Sequence, residues 1–173
     1  MSRSANEIMG LAQKAARGAG FPPQQAERFG RAAAAHLAAN RNPEDLVQAL
    51  RDPADSPVLR LPLLMDDVLR ALSLTGPNVD LTLHPEDVSL ASAYARLLPI
   101  RVTDCTIVQD EDRQPRLHVS ADLQTPGKTS FPARIEAPED LIAQLSRLAA
   151  KTYVPASEAS RSAGAGAGDI DND

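Results

Sequence analysis

The chain has no tryptophan, two tyrosines and three phenylalanines, so aromatic residues make up only 3% of it. Without large rings, a core has to be built from Leu, Val, Ile and Ala, and an apolar content of 43% is enough to build one. Cysteine is almost missing. Cys105 stands alone, which excludes a disulfide within the chain and gives no sign of an oxidising compartment. Long hydrophobic runs are missing too: no stretch approaches the ~18 apolar residues of a membrane span, and the first residues lack the apolar stretch of a secretory leader. Nor is there an excess of base. Eighteen Lys and Arg against 23 Asp and Glu leave a net charge of −5, whereas a phosphate backbone selects a basic stripe. These absences predict a soluble, cytoplasmic protein with neither a nucleic-acid nor a membrane partner.

What is present organises 173 residues into one α+β domain, 1–152, followed by an Ala/Gly/Ser-rich segment, 153–173. Ser4-Ala5-Asn6-Glu7 has the spacing of a capping box, and Ile8, Leu11, Ala12, Ala15 and Ala19 recur at helical spacing until Gly18 and Gly20. A second helix, about 23–40, buries Ala26, Phe29, Ala33 and Leu37. Its small residues predict a tightly packed antiparallel pair over about 4–40. A short helix follows Asn42-Pro43, and another is expected from Pro62 to Leu74.

The period then changes from helical to alternating. Val79, Leu81 and Leu83 mark a half-buried strand, and His84-Pro85 opens a further helix whose inner face includes Ala91, Tyr94 and Leu98. Ile100 to Val108 reads as a strand whose alternation slips between Val102 and Cys105, where a β-bulge restores the inward face. Leu117, Val119, Ala121 and Leu123 alternate cleanly, and Thr129 to Ile135 reads as an edge strand because Pro132 cannot donate to a ladder. Leu141, Leu145, Leu148 and Ala149 belong to a last helix. The expectation is therefore helices first, then a mainly antiparallel sheet of about four strands with flanking helices.

Sites are harder to read. His118, Ser120 and Asp122 share one strand face, but same-face neighbours sit ~7 Å apart, which looks too far for a Ser-His-Asp triad. No His, Cys or carboxylate spacing suggests a metal, and no motif asks for a cofactor. Cys105 beside Asp104 reads as a small buried residue rather than a nucleophile. Ala163 to Gly168 could present backbone N–H groups to an anion, and Asp169-Ile170-Asp171-Asn172-Asp173 opens like a calcium loop but lacks its glycine and closing glutamate. Composition leaves 153–173 either flexible or docked on the domain or a partner.

Two stretches carry a resemblance. Asn6-Glu7 with Lys14-Ala15-Ala16-Arg17-Gly18-Ala19-Gly20, and Thr152-Tyr153-Val154-Pro155-Ala156-Ser157-Glu158-Ala159-Ser160-Arg161 with the following Gly-Ala run and Asp171-Asn172-Asp173, resemble an uncharacterised bacterial domain family of unknown function. Relatives carry a Trp after the Gly-Ala-Gly corner, where this chain has Pro22-Pro23. The resemblance brings no activity, but it directs attention to both ends of the chain. Glu7, Arg17, Tyr153, Glu158 and Arg161 become candidate ligand-binding residues if the C-terminal segment returns to the helix pair, with Arg17 and Arg161 as anion donors. Two readings follow. One is a non-catalytic accessory or binding protein, a homo-oligomer or the partner of another protein, using these ends as its interaction surface. The other is a small metabolic enzyme or ligand-binding subunit that takes an anionic carboxylate or phosphate metabolite.

Overall fold

Alanine and glycine decide how the helices of this protein meet. The computed structural model describes residues 1–109 and 114–152. In chain order its elements are β1 (Ser2–Arg3), α1 (Ala5–Ala19), α2 (Pro23–Ala38), α3 (Glu44–Ala49), α4 (Pro57–Thr75), β2 (Asn78–Thr82), α5 (Val88–Ala95), β3 (Ile100–Gln109), β4 (Pro115–Pro126), β5 (Ile135–Glu136) and α6 (Glu139–Ala150).

The capping box forms as the spacing predicts. Ser4 Oγ accepts from the Glu7 N–H at 3.2 Å while the Glu7 carboxylate accepts from the Ser4 N–H at 2.7 Å. Gly20, with φ of 104°, then closes α1 in the left-handed region. Pro22-Pro23 turns the chain into α2. A Cβ on Gly30 of α2 would stand 2.6 Å from the Met9 carbonyl oxygen, and one on Gly18 would stand 1.8 Å from that of Leu148 in α6. Backbone therefore meets backbone on both sides of α1, and any side chain at either glycine would push the helices apart.

α2 is the hub. Ala26, Phe29, Gly30 and every residue from Ala32 to Leu37 are buried, because α1, α4, α5 and β5 surround it. Gln24, Glu27 and Arg31 keep an exposed polar side on its first half, but from Ala32 to Leu37 the helix is enclosed all round, which is why four consecutive alanines lie in the core.

The larger sheet has the order β2-β4-β3, all antiparallel. Leu117, Val119 and Ala121 of β4 face inward, with α4 packed against β4 and α5 against β3, and register sets Val79 and Cys105 beside Val119. The register slips between Val102 and Asp104, where the alternation called for a bulge. The smaller sheet pairs β1 with β5 and ties the first residues to the approach of α6.

The α+β class stands as read from the sequence, with helices flanking the sheet. Three local expectations change. α4 begins at Pro57 rather than Pro62, since Ser56 caps it by accepting from the Val58 N–H at 3.0 Å. Pro62 is accommodated inside the helix, and its carbonyl accepts from Arg28 Nη1 at 2.9 Å. Leu123 is exposed. Thr129 to Ile135 yields only β5, which pairs with β1 in the smaller sheet, and Pro132 offers no N–H for a longer ladder. No helix among the described residues is long and apolar enough to cross a membrane.

Candidate functional site

The residues singled out at the two ends of the chain are not gathered into one place. Glu7 and Arg17 sit ten residues apart on α1, about 15 Å along the helix axis and on different faces. Glu7 already serves the capping box, and its hydrogen bonds with Ser4 hold the carboxyl below the usual range, with Arg3 adding to the effect. Arg17 is exposed. Tyr153, Glu158, Arg161, the Gly-Ala run and the Asp169 cluster lie outside the described residues.

A concavity opens beyond Ala19, where the end of α1 meets α3 and α6. It encloses about 480 Å³ and is lined by Ala19, Val47, Leu50, Leu145 and Leu148, with Arg51, Arg147 and Lys151 around it. Leu50 and Leu145 are buried and form an apolar floor, while the three cations are exposed. Each lies there for a local reason. Arg147 and Lys151 occupy the last turn and C-cap of α6, where positive charge complements the helix dipole. Arg51 follows α3 and makes a 3.8 Å ion pair with Glu44 in which both side chains are exposed, an interaction worth ~0–1 kcal/mol. A ligand could draw Arg51 away at little cost. On its other side α3 faces a second cleft of about 440 Å³ containing Asp45, Asp52, Asp55 and Glu86. Arg51 stands between the basic hollow and the acidic one.

That acidic side has its own internal anchor. Arg60 of α4 donates through Nε and Nη2 to the buried Asp87 at 3.0 and 2.7 Å, and also meets Asp55 and Glu86. These bonds raise the Arg60 pKa further above its ordinary value. They fix the start of α5 to α4 and leave Arg60 committed to structure.

The outer face of the sheet brings together a group that spacing along one strand had argued against. His118 Nδ1 lies 3.0 Å from Asp80 Oδ1, His118 Nε2 lies 3.1 Å from Ser120 Oγ, and Ser120 Oγ donates to Asn78 Oδ1 at 2.6 Å. The ~7 Å between same-face positions is measured between backbones. The imidazole extends along β4 and closes that gap. The carboxylate comes from neighbouring β2, where Asp80 is in register with His118, while Asp122 is occupied with Thr125 and the Gln124 N–H. Strand pairing was the missing information: alternation shows which residues face outward, and register shows which of them meet.

The remaining candidates resolve locally. His84 accepts from the Glu86 N–H as a cap. His36 is buried at the end of α2 and donates through Nε2 to the Asn42 carbonyl at 2.8 Å, with burial pushing its pKa below 6.5. Burial and then Asp104 push the Cys105 thiol up, so it stays protonated rather than nucleophilic. Tyr94 buries its hydroxyl without a hydrogen-bond partner, and burial pushes that group up as well. No group of three or more His, Cys, Asp or Glu among the described residues could hold a metal ion.

Comparison of the chain with protein-family models, curated proteins and solved structures found no match in any of the three.

Proposed function

We propose that this is a ligand-binding accessory protein whose hollow between α1, α3 and α6 takes a small organic anion with an apolar body. The observation that carries this reading is the pairing of an apolar floor with three exposed cations in one cleft of about 480 Å³, a size typical of small-molecule sites. Leu50 and Leu145 would cover hydrocarbon, while Arg147 and Lys151 would hold a carboxylate or phosphate, with Arg51 released from Glu44 to join them. α1 and α6 both end at the cleft, and each contributes about half a unit of negative charge. Three full cations outweigh that. The resemblance of α1 and of segment 152–173 to an uncharacterised bacterial family belongs to the same proposal, because Lys151, the residue before that segment, stands at the cleft.

The experiment is calorimetric titration with octanoate, octyl phosphate and octanol. Either anion, but not the alcohol, should bind, and Arg147→Ala with Lys151→Ala should weaken binding by at least tenfold. Equal binding by the double variant, or no binding of either anion, would refute the reading.

A further inference from the structure

The hydrogen-bonded row across the sheet has a chemical direction. Asp80 is at the Nδ1 side of His118 and Ser120 at the Nε2 side. This order suits a histidine that accepts a hydroxyl proton at one ring nitrogen while a carboxylate at the other steadies the resulting imidazolium. The backbone holds the order in place, since Asp80 and His118 are cross-strand partners and Ser120 is paired with Asn78. β4 is laddered on both sides, so the reacting groups stand on the most constrained strand of the sheet. None is buried, and all are open to a substrate lying across the strands.

We propose that Asp80, His118 and Ser120 form a serine nucleophile relay that reacts with activated esters on the outer sheet face. Ser120 turns its O–H from Asn78 to His118 Nε2, and the Asn78 carboxamide rotates half a turn so that its Nδ2–H group faces the reacting centre. Ser120 Oγ then attacks the ester carbonyl and forms the O–C bond as its proton passes to Nε2. Collapse of the tetrahedral adduct breaks the bond to the leaving alcohol, which takes that proton from Nε2. Water attacks the acyl-serine by the same route, releasing the acid and restoring Ser120. Asn78 provides one side-chain donor to the oxyanion, where efficient enzymes usually supply two. The ladder keeps the β4 N–H groups occupied, so acylation and turnover should both be slow and only strongly activated reagents should react.

Covalent capture is therefore the decisive test. The intact protein is incubated with an alkyl fluorophosphonate, whose P–F bond gives way to a bond with the serine oxygen as fluoride leaves, and the modified peptide is located by mass spectrometry. Ser120 should carry the label, Ser120→Ala should carry none there, and His118→Ala should label about 100-fold more slowly. Asp80→Asn should slow labelling to a lesser degree. These side chains face outward, so the thermal unfolding midpoint of each variant should match the parent and separates loss of chemistry from loss of fold. Absence of label on Ser120 in the parent, or an equal rate in folded His118→Ala, would overturn the proposal. Neither result depends on whether the cleft beside α6 binds an anion.

Discussion

α2 and β4 each sit at the centre of their layer, yet they use that position in opposite ways. α2 is enclosed from Ala32 to Leu37, and its buried residues are chosen for volume, chiefly alanine with Phe29, Gly30 and Leu37. β4 is flanked at its edges but has two faces, one against the helices and one toward water. Period-two alternation lets a single strand serve the core and also present His118 and Ser120 at fixed spacing. Even their histidines differ. His36 on α2 leaves Nδ1 buried without a partner, whereas both ring nitrogens of His118 are engaged. A central helix of this kind supplies rigidity, and a central strand can supply rigidity and chemistry together.

The comparison can be broken at α2 first. Phe29 is fully buried, and Phe29→Ala should lower stability by about 3–5 kcal/mol in urea denaturation, because the surrounding alanines cannot reach into the void. A loss under 1 kcal/mol would mean that the hub is looser than its burial implies. Next comes the backbone contact: Gly30→Ala places a Cβ against the Met9 carbonyl and should cost ~1–3 kcal/mol. Gly10→Ala on α1 meets nothing within 4 Å and should instead stabilise by up to ~1 kcal/mol through helix propensity. Like signs for the two substitutions would remove close packing as the reason for glycine at position 30.

The smallest effect concerns pH. Burial holds the folded-state pKa of His36 below 6.5, so as pH falls through that value the unfolded chain takes up the proton first. The contribution is complete above pH 6.5 and declines below it. Stability measured between pH 7 and 5 should therefore fall, and His36→Gln should flatten that slope. An unchanged slope would assign it to other groups.

Helix ends and strand faces were legible in the sequence where local chemistry sets them. Ser4 with Glu7, Gly20, and the Leu117 to Ala121 alternation are examples. The start of α4 was not, because Pro57 and Pro62 both read as breaks while the deciding cap is Ser56. The sheet lost its expected fourth strand because the end of that stretch, β5, pairs with β1 near the start of the chain, a long-range partner that alternation does not reveal. The cleft was hidden because Arg51 lies about a hundred residues before Arg147 and Lys151 in the chain, and each has an ordinary local role. Asp80 was missed for the same reason, since it reaches His118 only through pairing between strands.

The joining of β1 to β5 has a consequence in time. The Met1 amino group donates to the carbonyl of Ala137, 136 residues further along, and α1 likewise waits for α6 to cover Gly18. At ribosomal rates of ~5–20 residues per second, those partners emerge on the order of ten seconds later. The α1–α2 pair can close early from its own sequence. Throughout that interval one side of α1 presents bare backbone, and the helical layer is completed only once α6 has emerged.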